Sequence, residues 1–317
     1  MARPFVLSIV FRLLHSGRGL CDAFADVHLV RGGARMTDNL LARIDEAAEL
    51  LRNRLPSIPQ VLLIAGSGLS GFARSVVEPT TVNYAEIPHF PSSTVAGHVG
   101  NLVWGRVGSS EGPPVLVMNG RVHVYEGHDA QTATLPLRAI LRAGIRVVIV
   151  SNAAGGLNRQ WAAGDIMVIA DHINFQFRNP LIGPNLDALG PRFPDMSACW
   201  DPSLRRLAHE VARECGIALR EGVYLGGTGP SYETQAEVQM MRQWADVVGM
   251  STVLENLVAV HAGVRCLGLS VITNSLVHRT DVVTTHEEVM ETGRRTASTF
   301  ERLVGGIIRT LARENPA

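Results

Sequence analysis

The sequence predicts an α/β fold, with a mixed, largely parallel central β-sheet flanked by helices in three layers. Short, uninterrupted apolar runs recur along the chain, as buried strands do. Helical patterns lie between several of them, and such alternation implies a parallel or mixed sheet. No repeat, low-complexity tract or flexible linker interrupts residues 37–313, so a single domain is expected over residues 36–317.

From Thr37 the chain reads as a helix opening, with Thr37 or Asp38 as cap ahead of Leu40, Leu41, Ile44, Ala47 and Leu51 at helical spacing. After Pro56 and Pro59, the run Val61–Ala65 predicts the first buried strand. Similar runs stand at 102–107, 115–119, 147–151, 166–170, 222–225, 247–250 and 266–273. Helical patterns cover 132–143, 202–215, 233–244 and 252–262, and a long amphipathic one closes the chain at 287–313. The stretch 174–200, rich in Pro, Gly and Asn, is long for a loop, and loops of that kind serve function or interfaces.

Residues 1–35 stand apart, carrying Arg3, Arg12, Arg18, Arg31 and Arg35 with no acid before Asp22. They read either as an Arg-rich targeting peptide or as an upstream extension of the reading frame with Met36 as the natural start. The second reading is preferred, and a poorly ordered extension is expected.

Composition excludes several classes. The 29 basic and 29 acidic residues cancel, so no global field favours nucleic acid or an anionic membrane, and any anionic ligand needs a local site. Every basic residue is Arg; without Lys, Schiff-base chemistry and a P-loop are excluded. Cys21, Cys199, Cys215 and Cys266 are widely spaced with no CxxC pair, which favours buried, reduced thiols in a cytoplasmic protein over disulfides or a zinc site. The apolar runs are too short to span a membrane.

Seven segments carry chemistry. Gly66-Ser67-Gly68-Leu69-Ser70-Gly71 follows a strand and formally matches a dinucleotide fingerprint, with Glu86 as ribose-binding acid. Yet Glu78-Pro79 follows too soon for a crossover helix, and the Ser67 hydroxyl beside exposed N–H groups suits a single phosphate equally well. His98 sits between glycines on a turn. In Gly120–Gly127, an extended backbone would put Arg121, His123 and Tyr125 on one face and Val122 and Val124 in the core. Arg is the natural fork for phosphate oxygens. Ser151–Leu157 brings Ala153 and Ala154 to a strand end, where small residues admit a flat ligand. Tyr232 and Glu233 can stack on a heterocycle and accept its N–H, or Glu233 can be an ordinary first-turn acid. Met250-Ser251 and Thr273-Asn274 mark further strand ends, and His286 opens the last helix.

Together these segments resemble the trimeric class of the purine nucleoside phosphorylase family, from about Met36 to the C-terminus and in the family's order. The resemblance implies that Ser67, His98, Arg121, His123, Ala153 and Ser251 hold phosphate. It assigns Tyr125, Met250 and His286 to the ribose, and Tyr232, Glu233 and Asn274 to the base, with Ala154 beside the nucleoside. Asn274, Glu233, His123 and His286 are then the catalytic set. It further implies a homotrimer in which a Phe from a neighbour, Phe175 or Phe177, covers the ribose. Inorganic phosphate is a co-substrate, and no metal or organic cofactor is expected.

The implied reaction is reversible phosphorolysis of inosine- or guanosine-type nucleosides to a purine and (deoxy)ribose 1-phosphate. Glu233 would accept N1–H of a 6-oxopurine, and Asn274 would follow N7. A methylthioadenosine- or xanthosine-type phosphorylase is the nearest alternative, and a non-catalytic nucleotide-binding module the distant one. Ser70, Val99, Leu254 and Ser275 depart from the family pattern; none removes a proposed ligand, but they leave fine substrate preference open.

Overall fold

Leu62 and Ile64 of β1 (Val61–Ala65) join one apolar cluster, and Val61, Leu63 and Ala65 join another, as the two-residue period of a strand requires. The computed structural model describes residues 32–94, 99–277 and 285–314, with side chains from Leu40 onward. The chain divides into a unit of residues 1–40 and one of residues 41–317. Everything below concerns the second unit, apart from the first turns of the opening helix.

The first cluster takes Ala47 and Leu51 from α1 (Gly32–Arg54), Leu137 and Ile140 from α3 (Ala130–Ala143), and Leu257 and Val258 from α6 (Val253–His261). The second takes Phe72 from α2 (Gly71–Ser75), Leu204 and Val211 from α4 (Pro202–Glu214), and Phe300 and Ile307 from α7 (His286–Glu314). Helices therefore cover both faces of the sheet, giving the three expected layers. Burying each large apolar side chain contributes about 1.5–3 kcal/mol, so the two clusters are the main source of cohesion.

The remaining strands are β2 (Val77–Asn83), β3 (Asn101–Arg106), β4 (Pro114–Asn119), β5 (Val147–Gly156), β6 (Ile166–Asn174), β7 (Leu219–Gly226), β8 (Val247–Gly249) and β9 (Arg265–Ser275). They run in the order β2-β3-β4-β1-β5-β8-β7-β6-β9, and β9 also pairs with β5. Strands β5, β8, β7, β6 and β9 thus close on themselves, which removes the edges an open sheet would leave. β1 runs parallel to β4 and β5, β5 to β9, and β7 to β6 and β8; the other four pairings are antiparallel. The sheet is mixed, as expected.

Four details differ from the sequence reading. α1 begins at Gly32 and runs through Thr37 and Asp38, so neither caps it; residues 1–31 lie outside the described residues. β2 was not expected because Glu78-Pro79 and further exposed positions break its pattern; only Val82 is buried in it, as suits an edge strand. α5 (Gln235–Met241) starts late because the Thr234 hydroxyl caps it, accepting from Glu237 N–H at 3.2 Å while the Glu237 carboxylate accepts from Thr234 N–H at 2.7 Å. After β4 the chain does not stay extended: Gly120 turns it at φ 105°, and a 3-10 turn follows at Val124–Glu126.

α2 has only five residues and leads straight into β2, so no crossover helix follows the glycine motif. That removes the frame a dinucleotide needs. Among the described residues, no helix is long and apolar enough to cross a membrane.

Candidate active site

The carboxyl ends of β1, β5 and β9 lie side by side. Gly155 of β5 faces Asn274 of β9, with an irregularity between Ala154 and Gly155 that re-aims the strand end. Gly66, directly after β1, can take no side chain: a Cβ there would lie 2.7 Å from Asn152 Cα. Its N–H donates to Ser151 Oγ at 3.0 Å, and that hydroxyl donates to Ile64 O at 2.9 Å. The Ser67 turn is thereby tied to β5.

A cavity of about 380 Å³ opens over these strand ends, within the size range of small-molecule sites. Ser67, Arg121, His123, Ala153 and Ser251 line it together. So do Tyr125, Ala154, Met250 and His286, and so do Tyr232, Glu233 and Asn274. His98 lies outside the described residues. Every other site residue expected from the sequence therefore reaches one cavity, although they come from segments scattered between positions 67 and 286.

Arg121 is 3% exposed, and its Nη1 donates to Glu255 Oε1 at 3.0 Å; Thr252 Oγ1 lies 3.4 Å from the same nitrogen. Its Nη2 donates to the Ser151 carbonyl. The strand alternation expected for 120–125 fails as backbone geometry, yet Val122 is buried while Arg121, His123 and Tyr125 all reach the cavity.

His123 is oriented by Glu126, whose Oε1 accepts its backbone N–H at 2.7 Å and lies 3.3 Å from Nδ1. The other carboxylate oxygen accepts from Thr94 N–H and Oγ1 at 2.5 and 2.9 Å. Burial acts to raise the Glu126 pKa, but these hydrogen bonds outweigh it and hold it well below the usual carboxylate range. A carboxylate bonded to Nδ1–H fixes the imidazole so that Nε2 is the acceptor nitrogen. Burial pushes the His123 pKa down, against the pull of Glu126. Tyr125 stacks on His123 with ring centroids 4.7 Å apart, and burial lifts its phenol to about 12.

At the other end, Thr273 Oγ1 donates to Asn274 Oδ1 at 2.9 Å, which marks the oxygen side of the amide and makes Nδ2 its donor side. Glu233 is half-buried, and burial raises its pKa, with Glu237 adding to the effect. Tyr232 is 41% exposed at the rim.

Three contributors escaped the sequence reading. Asn152 lines the cavity and donates through Nδ2 to Thr252 Oγ1 at 2.9 Å. Thr252 is buried in the left-handed region at φ 74°, a conformation that costs a β-branched residue about 1–3 kcal/mol and is often found at functional sites. Glu255, in the first turn of α6, is not singled out by the sequence, since no spacing links it to Arg121.

Asp171, His172 and Cys199 also draw together, within 4.8 Å. Trp200 Nε1–H already donates to His172 Nδ1 at 3.1 Å, and burial lifts the Cys199 thiol to about 11. Cys199 Sγ also lies 3.9 Å from Asp171 Oδ1 and 3.7 Å from His172 Nδ1, so the three side chains and Trp200 form one hydrogen-bonded cluster. Of the two phenylalanines expected at a neighbour's site, Phe177 is 72% exposed and Phe175 packs against a third apolar cluster that includes Val238 and Met241 of α5; Phe193 is 86% exposed.

Comparison with known proteins follows the same lines. Residues 60–309 match the model of the phosphorylase superfamily. The chain is 47% identical over 271 residues to purine nucleoside phosphorylase 1 of Geobacillus stearothermophilus, covering 85% of this chain and 98% of the relative. It is similar to the crystal structure of Schistosoma mansoni purine nucleoside phosphorylase in complex with adenosine, at 39% identity and a TM-score of 0.80 over 85% of this chain and 97% of that one. The inosine complex of the same Schistosoma enzyme matches at 39% identity and a TM-score of 0.79, over 84% and 96% of the two chains.

Proposed function

The chain belongs to the purine nucleoside phosphorylase family, and we propose from that premise that the cavity is where a purine nucleoside and inorganic phosphate react. The enzyme is a pentosyltransferase: it cleaves the glycosidic bond reversibly, releasing the purine and forming ribose 1-phosphate. The observation that carries this reading is the convergence of oxyanion ligands, an aromatic rim and an amide–carboxylate pair on one cavity.

Breaking the bond builds positive charge on the sugar and negative charge on the leaving base. A site that holds an anion under the sugar and donors around the base stabilises both. Arg121, Ser67, His123, Ala153 and Ser251 hold phosphate, with His98 as a further ligand, and keep it aligned for attack on the anomeric carbon. With Nδ1–H committed to Glu126, His123 presents Nε2 as an acceptor, which suits the hydroxyl of monohydrogen phosphate. Tyr125, Met250 and His286 contact the ribose, with Ala154 beside the nucleoside. Tyr232 stacks on the base, Glu233 accepts N1–H, and the Asn274 amide donates toward N7 as negative charge collects there.

This pairing favours 6-oxopurines, because adenine has no N1–H to offer Glu233. The Schistosoma mansoni relative is seen with adenosine in one structure and with inosine in another, so the two nucleosides compared on this chain test the preference. Phosphate is a co-substrate, and the chemistry needs neither a metal nor an organic cofactor.

A homotrimeric assembly accords with the exposure of Phe177, Ile182 and Phe193 along the stretch 174–200. Exposure favours Phe177 or Phe193 over Phe175 as the ring lent to a neighbour. Cytoplasmic location accords with free thiols at Cys199, Cys215 and Cys266 among the described residues.

The test is incubation with inosine, with and without phosphate, following hypoxanthine. Release only with phosphate is expected. Release that ignores phosphate would make the chain a hydrolase, and no release from any purine nucleoside would favour the binding-module alternative.

A further inference from the structure

A second cavity, of about 200 Å³, lies where α3 and α6 end, lined by Arg138, Arg142 and His261 together with Leu189 and Val258. Arg138 is 6% exposed. Its Nη2 donates to the Pro180 carbonyl at 3.2 Å, and its buried Nε has no hydrogen-bond partner. Among the described residues it pairs with no carboxylate, and burial alone pulls its pKa down to about 10. His261 is 4% exposed, its ring lies beside the backbone of Gly190 and Pro191, and no side chain bonds either ring nitrogen. Burial and then the Arg138 charge push its pKa down, while the nearby carbonyls of Pro191 and Gly190 pull the other way.

A buried guanidinium without a counter-charge is costly, and unpartnered buried donors call for an explanation. The ends of α3 and α6 offer only partial negative charge from their last carbonyls. No acid lines the cavity. Asp45 is bonded to Arg142 at 2.7 Å, and Asp187 accepts from Asn185 at 2.7 Å. The anion that fits this half-open, half-apolar space is small, with oxygens on more than one side to meet a guanidinium and an imidazole together.

We propose that this cavity is a second, non-catalytic site for a small oxyanion, of the phosphate or carboxylate class, held by Arg138 and His261 with Arg142 at its side. It shares no lining residue with the larger cavity, so it stands independently of the reading given to that one.

Equilibrium dialysis of the full-length protein with radiolabelled inorganic phosphate, and separately with succinate, tests it. Two phosphates per chain are expected for the wild type, falling to one in R138M with inosine turnover retained. R121A should also fall to one, having lost the other site. One phosphate plus one succinate per chain, with succinate lost in R138M, keeps the site and makes its occupant a carboxylate. Should R138M fail to fold, H261N removes no charge at neutral pH and should weaken the second site about tenfold. A single phosphate and no succinate in the wild type overturns the proposal, as does second-site binding unchanged in R138M or in H261N.

Discussion

Glu255 lies 3.0 Å from Arg121, with the two side chains only 12% and 3% exposed. This buried pair sits beside the end of the cavity assigned to phosphate, so the carboxylate has two opposing effects there. It positions the guanidinium, and it places negative charge near an incoming anion. The two substitutions E255Q and E255A separate them. Gln still accepts from Nη1 but carries no charge, so the KM for phosphate should fall several-fold. Ala removes the acceptor as well, and KM should rise. Ala should also destabilise the phosphate-free protein by about 3–5 kcal/mol, the usual cost of stranding one partner of a buried pair. Steady-state kinetics in phosphate decide it: equal shifts in both variants would leave Glu255 with a purely structural role.

The Thr273 hydroxyl fixes which way the Asn274 amide faces, and base preference should follow from that. In N274D the amide donor becomes an acceptor at neutral pH. The 6-oxopurine contact at N7 is lost, whereas a 6-amino group gains a partner. The ratio of inosine to adenosine kcat/KM should drop by about five- to 150-fold, corresponding to one hydrogen bond of about 1–3 kcal/mol in a buried site. An unchanged ratio would remove Asn274 from base recognition.

Much of the site was legible because chemistry-bearing residues stand at the ends of apolar runs, which is where strands of an α/β sheet present ligand-binding groups. Asn274 and Ala153 could be placed by that rule alone. Arg121, His123 and Tyr125 were found through an alternation that the backbone does not keep. Gly120 turns the chain out of β4, but the turn happens to carry the same side chains into the cavity. The parts played by Glu255 and Thr252 were not legible, because they depend on contacts with Arg121 and Asn152 a hundred or more positions away. β2 was missed for a different reason: an edge strand buries little, so its sequence need not alternate.

Histidine burial sets the acid limit of stability. His123, His172 and His261 all have pKa values pushed down, by burial first in each case. In the unfolded chain each titrates near its ordinary value of about 6.5. As pH falls through that value the unfolded state takes up protons that the folded state refuses, so stability present above it is progressively lost. The slope is at most about 1.4 kcal/mol per pH unit for each histidine. Denaturant midpoints should therefore drop between pH 7.5 and pH 5.5, and the triple variant H123N/H172N/H261N should show a flatter profile. A wild-type midpoint that is level across this interval would mean the three rings protonate in the folded state.

The Ser67 turn rests on α7 through two glycines. A Cβ on Gly68, which has φ +76°, would lie 2.9 Å from Gly293 Cα, and one on Gly293 would lie 2.9 Å from Gly68 Cα and 3.3 Å from Ser67 O. G68A combines backbone strain with the clash, so G293A is the cleaner probe. Its helical conformation accepts Ala readily, and propensity alone should stabilise the helix by about 1 kcal/mol. The methyl must nevertheless displace backbone, since no flexible side chain stands in its way. The clash should win, because close-packed backbone cannot yield without moving Ser67 or the first turns of α7, where His286 sits. G293A should therefore raise the KM for phosphate and lower thermal stability together. Kinetics and melting of G293A against wild type check this: a more stable protein with unaltered phosphate use would show that the turn and the helix can separate without cost to the site.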